Sequence, residues 1–184
     1  MHLHCAPRMP LHFAPRMHLH CANVETPCGP FSVAVNSSGA VVASAFGDTP
    51  ALRSRLPAQC HLIGDTPALT TAVKKQLREY FAGERRVFSL RLAARGSAFQ
   101  QRVWAELAAI PYGQTRSYGQ LAAALEKTGA ARAVGRANAS NPLVLLVPCH
   151  RVINADGTPG GFAFGTALKL NLLRHEGARP GTSS

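Results

Sequence analysis

Apolar positions alternate with polar or small ones from Phe31 to Val35 and again from Ala40 to Phe46, and Ser37-Ser38-Gly39 between them has turn chemistry. This pattern predicts a β-hairpin. The period then changes: Leu69, Val73, Leu77, Tyr80 and Phe81 recur at helical spacing, opened by Thr66-Pro67 and stopped by Gly83, which predicts one helix. Val87 to Leu92 reads as a further strand. Ala93-Ala94-Arg95-Gly96 reads as a joint, after which helical periods dominate. Ser97-x-x-Gln100 is a capping box ahead of Phe99, Val103, Trp104 and Leu107, and Ser117-x-x-Gln120 is a second one ahead of Leu121, Ala124 and Leu125. Ala131 to Ala139 forms a short third helix, so that two short helices joined by a glycine-containing turn match a helix-turn-helix. Leu143 to Leu146 is an apolar strand, and Thr166 to His175 is a last helix with Leu168, Leu172 and Leu173 inward and Gly177 as its stop. The fold class expected is α+β: a sheet-and-helix domain over residues 24–94, then a mainly helical domain over 95–178.

The ends fall outside this patterning. Residues 1–23 repeat an eight-residue unit, Met1 to Arg8, Met9 to Arg16 and Met17 to Asn23, with proline in most copies and no face to bury. A mobile tail is expected there, and fraying over 179–184. His2, His4, Cys5, His18, His20 and Cys21 are of metal-ligand type, but tandem duplication of coding sequence produces the same spacing, and no metal site or cofactor is assigned.

Twenty Lys and Arg against nine Asp and Glu give a net charge of +11 and a pI near 10.4. That balance favours a polyanionic partner, although basic surfaces also serve solubility. The excess is not a tail effect, since nine basic and four acidic residues lie from Gly96 onward and eleven and five before it. No apolar run approaches the roughly 20 residues of a membrane span, so a soluble chain with no membrane partner is expected. An odd number of cysteines and no secretory signal point to reduced thiols in the cytoplasm.

Chemistry concentrates at Val147-Pro148-Cys149-His150-Arg151-Val152. An apolar run ending in Pro-Cys-His-Arg places a thiol at the rim of a core, beside a base and a cation. Such neighbours favour thiolate over thiol relative to an ordinary pKa of about 8.5. A single Cys beside a single His also arises from packing alone, and the third helix, made of small residues around Arg132, Arg136 and Asn138, fits either a nucleic-acid surface or a core contact.

Pro-Cys-His-Arg-Val, preceded by Asn141-Pro142 and followed by Gly160-Gly161 and Leu172-Leu173-Arg174-His175-Glu176-Gly177, resembles the O6-alkylguanine-DNA alkyltransferases, the methylated-DNA–protein-cysteine methyltransferases. The likeness is dense from about Phe99 to Gly177 and thinner from Glu25 to Arg95. It implies a ribonuclease H-like first domain and stoichiometric DNA repair, in which a methyl or small alkyl group passes from O6 of guanine, and from O4 of thymine, to Cys149. It further implies His150 as base through a water, Glu176 holding the imidazole, and Tyr118 turning the nucleotide out and donating toward N3. Asn141 would tie the helix-turn-helix to the reactive segment. The motif Ala131-Arg132-Ala133-Val134-Gly135 implies a minor-groove helix with Arg132 as an intercalating finger, assisted by Ala131, Gly135, Arg136, Tyr118 and Arg151. The guanine pocket is expected from the carbonyls of Cys149 and Val152 and from Gly160, Phe162, Ala163, Phe164 and Lys169. Taken alone, Tyr118, Glu176 and Lys169 also read as a packed aromatic, a solvated carboxylate and a surface charge. The implied partner is double-stranded DNA carrying O6-alkylguanine, bound by a monomer. Two other classes stay open: a lesion-binding module that only signals, and a transcription factor built on the helix-turn-helix.

Overall fold

The structure, a computed structural model, describes residues 17–178. Three strands, β1 (Met17–Thr26), β2 (Gly29–Val35) and β3 (Val41–Phe46), form an antiparallel meander. α1 (Thr49–Arg53) leads to β4 (Cys60–Ile63), which pairs parallel to β1 and completes the sheet order β3-β2-β1-β4. α2 (Pro67–Phe81) crosses the sheet.

The strand β1 corrects the expectation of a mobile tail over 1–23. Its first seven residues are the third copy of the repeat, and they do have a face to bury. Cys21 pairs with Ala34 of β2 while Met17 pairs with Cys60 of β4, and Leu19, Cys21 and Ala22 are buried. This copy ends in Asn23 where the other two have Pro-Arg, and Asn23 pairs with Ser32 as the ladder runs on to Thr26. The first two copies and the segment 179–184 lie outside the described residues.

Both sheet faces are covered, so β2 is buried throughout its inner length. Leu19, Ala34, Ala43 and Ala45 meet Leu52 of α1, whereas Val24, Phe31, Val33 and Val41 meet Val73, Leu77 and Tyr80 of α2. Alanines predominate against the short helix, and larger side chains against the long one.

Val87 to Leu92 is not a strand. It makes one bridge, Val41 to Leu92, because the side chain of Gln76 takes both the N–H and the C=O of Ser89 and leaves no ladder to extend. Val87 is 73 % exposed. Beyond the joint, Gly96 has no room for a side chain, since a Cβ there would come within 2.5 Å of the Trp104 ring.

Both capping boxes form as expected, at Ser97/Gln100 opening α3 (Ala98–Ala108) and at Ser117/Gln120 opening α4 (Tyr118–Ala124). α5 (Ala131–Ala139) follows across a turn through Glu126 and Gly129 and packs on α3 and α4. The short β5 (Arg116–Ser117) pairs in parallel with β6 (Val152–Ile153), and α6 (Thr166–His175) is the last element among the described residues. No helix among the described residues is long and apolar enough to cross a membrane. Cys21, Cys28, Cys60 and Cys149 are free thiols.

Candidate active site

The apolar run before the reactive cysteine is a tight buried turn and not the expected strand. Leu145 takes φ 71°, Val147 N–H donates to the Leu143 carbonyl at 2.8 Å, and Val144 bridges to Val147. The sheet holds this turn in place: Ser44 of β3 donates from its backbone to Pro142 O and from its hydroxyl to Val144 O, both at 2.8 Å. Pro148 then starts a single 3₁₀ turn, Cys149–Arg151, that runs into β6.

Cys149 is 4 % exposed and lines a cavity of about 310 Å³. Its lining comes from Tyr118, Gly135 and Asn138 of the helix-turn-helix, from Asn141 and Val144 of the turn, and from Gly161, Phe162 and Ala163. Asn141 donates to Val147 O at 2.8 Å and accepts from Leu143 N–H at 2.9 Å, so it does join the end of α5 to the reactive segment.

Burial pushes the Cys149 thiol up from its ordinary value; a hydrogen bond from Asn141 and the charges of Arg55 and Lys169 oppose this without overcoming it. The thiol is therefore protonated at rest and needs a base. His150 is fully buried beside it, and burial holds its imidazole below the usual value against the opposing pull of Glu176. His150 Nε2 donates to Glu176 Oε1 at 2.9 Å, which leaves Nδ1, buried and without a protein partner, as the basic atom.

Glu176 is buried at the C-cap of α6. Burial alone would raise its pKa, but hydrogen bonds and charge from His150 and Arg151 hold it far below the carboxylate range. Gly113 N–H lies 3.4 Å from Oε2, and Gly113 takes φ 77° with a Cβ position only 2.9 Å from the Glu176 carbonyl, so no larger residue fits.

Arg151, expected at the DNA surface, is instead 6 % exposed and saturated from within. Its Nε and Nη2 take both oxygens of Glu176 at 2.8 and 2.9 Å, and its Nη1 takes Ile110 O at 2.6 Å. A guanidinium fork matches a carboxylate better than it matches solvent once both are buried. The cation expected to lower the thiol pKa thus serves the carboxylate. The charges facing Cys149 come from Arg55 and Lys169.

Lys169 is not the surface charge its helical position allows. It is buried and donates to the carbonyls of Val152, Pro159 and Gly161, pinning the aromatic loop from behind, and burial pulls its pKa down to about 8. The Val152 carbonyl thus already receives one donor, and the Cys149 carbonyl receives Val152 N–H. Gly160 takes φ 67° against Asn154. Phe164 does not line the cavity. It stacks edge-on against Phe46 at 5.7 Å, beneath the Arg55 guanidinium at 5.1 Å. On α5, Ala131 and Gly135 are half-buried while Arg132 and Arg136 are exposed.

Two residues of the first domain reach this site without having been expected there. Arg55 lines the cavity and donates to Asn141 O. Tyr80 donates its hydroxyl to Glu176 Oε1 at 2.7 Å. Arg55 left no signal in the sequence. Tyr80 did: a tyrosine on the inner face of an amphipathic helix must find an acceptor for its hydroxyl.

Two family models match the chain: the ribonuclease-like domain of 6-O-methylguanine DNA methyltransferase over residues 19–94, and the DNA-binding domain of the same family over residues 98–178. A methylated-DNA--protein-cysteine methyltransferase of Mycobacterium bovis is 43 % identical over 156 residues, spanning 85 % of this chain and 91 % of that protein. A constitutive one from Bacillus subtilis is 51 % identical over 113 residues, spanning 61 % of this chain and 68 % of that protein. The crystal structure of Mycobacterium tuberculosis OGT in complex with DNA superposes with a TM-score of 0.76 at 38 % identity, covering 89 % of this chain and 96 % of that one.

Proposed function

The chain belongs to the 6-O-methylguanine DNA methyltransferase family in both of its domains, and from that premise we propose that it repairs O6-methylguanine in damaged DNA with Cys149 as the methyl acceptor. The observation that carries the assignment is a buried thiol opening on a cavity, followed directly in the chain by a buried imidazole hydrogen-bonded to a carboxylate.

The O6 edge of guanine lies inside the base stack, so the nucleotide must be turned out into the cavity. Arg132, exposed on α5, fills the gap left in the duplex from the minor-groove side, and the net charge of +11 draws the polyanion in. Tyr118 lines the cavity and lies against Gly135 of α5; burial pushes its phenol up, so it stays protonated and can donate toward N3.

His150 Nδ1, through a water, takes the thiol proton. The thiolate attacks the alkyl carbon in line, forming the S–C bond as the C–O6 bond breaks. The electron pair leaves with guanine, which takes a proton at N3 from Tyr118, and the proton that His150 took from the thiol makes good that loss. Thioethers are stable in water, and no group lining the cavity cleaves one, so each molecule acts once. O4-methylthymine presents the same leaving-group chemistry and is expected as a second, poorer substrate. Ala163 offers only its N–H to O6, having no hydroxyl.

Incubation with duplex DNA containing O6-methylguanine should add one methyl group to the peptide holding Cys149, read by mass spectrometry, and Cys149→Ser should abolish it. An unmodified protein that still bound the lesion tightly would place the chain among lesion sensors instead.

A further inference from the structure

Tyr80 belongs to α2, in the domain that holds none of the reacting groups. It is fully buried, and its hydroxyl donates to Oε1 of Glu176, the same oxygen that accepts His150 Nε2. Arg151 Nη2 shares that oxygen, while Arg151 Nε and Gly113 N–H take Oε2. Every donor on a carboxylate oxygen withdraws part of the charge that would otherwise stabilise an adjacent imidazolium. A phenol adds no charge of its own, so it acts on His150 only through this hydrogen bond, by drawing charge off the oxygen that faces the imidazole.

We propose that Tyr80 is a positioning residue for alkyl transfer: its hydroxyl fixes Glu176 Oε1 against His150 Nε2 and tempers the carboxylate, so that the imidazole stays neutral with its lone pair on Nδ1. This rests on the reading of His150 as the base for Cys149. The first domain thereby takes part in the chemistry of the second.

The charged and titratable groups around the pair come from every packed element. Arg151 lies in the same 3₁₀ turn, Lys169 on α6, and Cys149 next in the chain; Arg151 and Lys169 both disfavour protonation of His150. Tyr112 follows α3 and carries the Arg86 guanidinium over its ring at 5.6 Å. His175 donates to the Tyr80 carbonyl at 2.8 Å, with its ring 5.0 Å from the Tyr80 ring. Because burial, helped by these two cations, already holds His150 neutral, loss of the Tyr80 hydroxyl should shift the titration of His150 and not abolish the site.

Phenylalanine at position 80 keeps the contacts with Phe81, Phe88 and Tyr112 and removes only the hydroxyl. The test follows His150 by nitrogen-15 NMR titration and the single-turnover alkylation of Cys149 against pH, in wild type, Tyr80→Phe, Glu176→Gln and the double variant. In Tyr80→Phe the His150 titration and the acid limb of the rate should both move up by roughly half a pH unit or more, the size of one net hydrogen bond. With Gln at 176 the same change should move neither. A Tyr80→Phe protein that only melts earlier, with titration and limb unmoved, overturns the proposal, as does an equal shift in the Glu176→Gln background. If the wild type transfers no methyl, the reading of the reaction fails, while the titration still decides whether Tyr80 acts on His150 through Glu176.

Discussion

At Glu176, hydroxyl, imidazole, guanidinium and backbone donors converge on two carboxylate oxygens in a site closed to solvent. Glu176→Gln keeps the shape but leaves the Arg151 guanidinium buried without a counter-charge, a change that typically costs about 3–5 kcal/mol. The pH dependence follows from the direction of the shift. The folded carboxyl titrates far below its unfolded value of about 4.3, so its contribution is fully present above that pH and is lost as the pH falls toward the folded value. Wild type and Glu176→Gln should therefore differ most near neutrality, and the gap should close steadily below about pH 4, as read by denaturant unfolding between pH 3 and 7. A gap constant across that range would contradict the assignment of Glu176 as the paired carboxylate. At this scale the sequence names the right atoms and mispairs them. Arg151 adjoins Cys149 and His150 in the chain, but a 3₁₀ turn directs successive side chains about a third of a turn apart, and Arg151 faces Glu176.

Of the two readings open for the small-residue helix α5, the core contact is present on one face, and the opposite face carries the arginines that the nucleic-acid reading requires. Val134, Ala137 and Asn138 are buried, with the Ala137 carbonyl taking the Trp104 indole N–H at 2.9 Å, whereas Arg132 and Arg136, four residues apart, share the exposed face. An arginine serving as a finger matters only when there is a base stack to fill. Arg132→Ala should slow Cys149 alkylation by duplex O6-methylguanine at least about tenfold, as loss of roughly 1.4 kcal/mol of transition-state contact would, while leaving the rate with the free base O6-methylguanine nearly unchanged. Single-turnover kinetics on the two substrates decide this, and equal slowing on both would remove the finger role. The caps and inner faces of α3 and α4 were legible because they depend on residues three or four apart. The span 87–92 was misread because its ladder was pre-empted by Gln76, from another element.

Across the whole molecule, one core runs through both domains, from Val24 and Phe31 through Tyr80 to Trp104, Leu143 and Leu172. The first domain grips the second at the reactive segment, through Ser44 on Pro142 and Val144, Arg55 on Asn141, and Tyr80 on Glu176. Damage to the sheet should reach the chemistry by this route. Deleting residues 1–23 removes Leu19, Cys21 and Ala22 from the interior, and a fully buried leucine alone contributes about 1.5–3 kcal/mol. That protein should melt markedly lower and lose alkyl transfer with it, whereas deletion of residues 1–16 alone spares every described contact and should match the full chain in both. Scanning calorimetry and the methyl-transfer assay on the two truncations provide the comparison.

What the sequence determined by itself was local: the helices written in three- and four-residue spacings, the two capping boxes, and the identity of a thiol, a base and a carboxylate, carried by Pro-Cys-His-Arg-Val and Leu-Leu-Arg-His-Glu-Gly. What only the tertiary structure decided was which groups meet. The third copy of the repeat became a strand through its partners β2 and β4, Lys169 turned inward to hold a loop, Arg151 turned to Glu176, and Arg55 and Tyr80 arrived from 94 and 96 residues away in the chain. Pairing of buried polar groups is settled by the direction and distance of acceptors that distant elements bring, and linear spacing does not encode those.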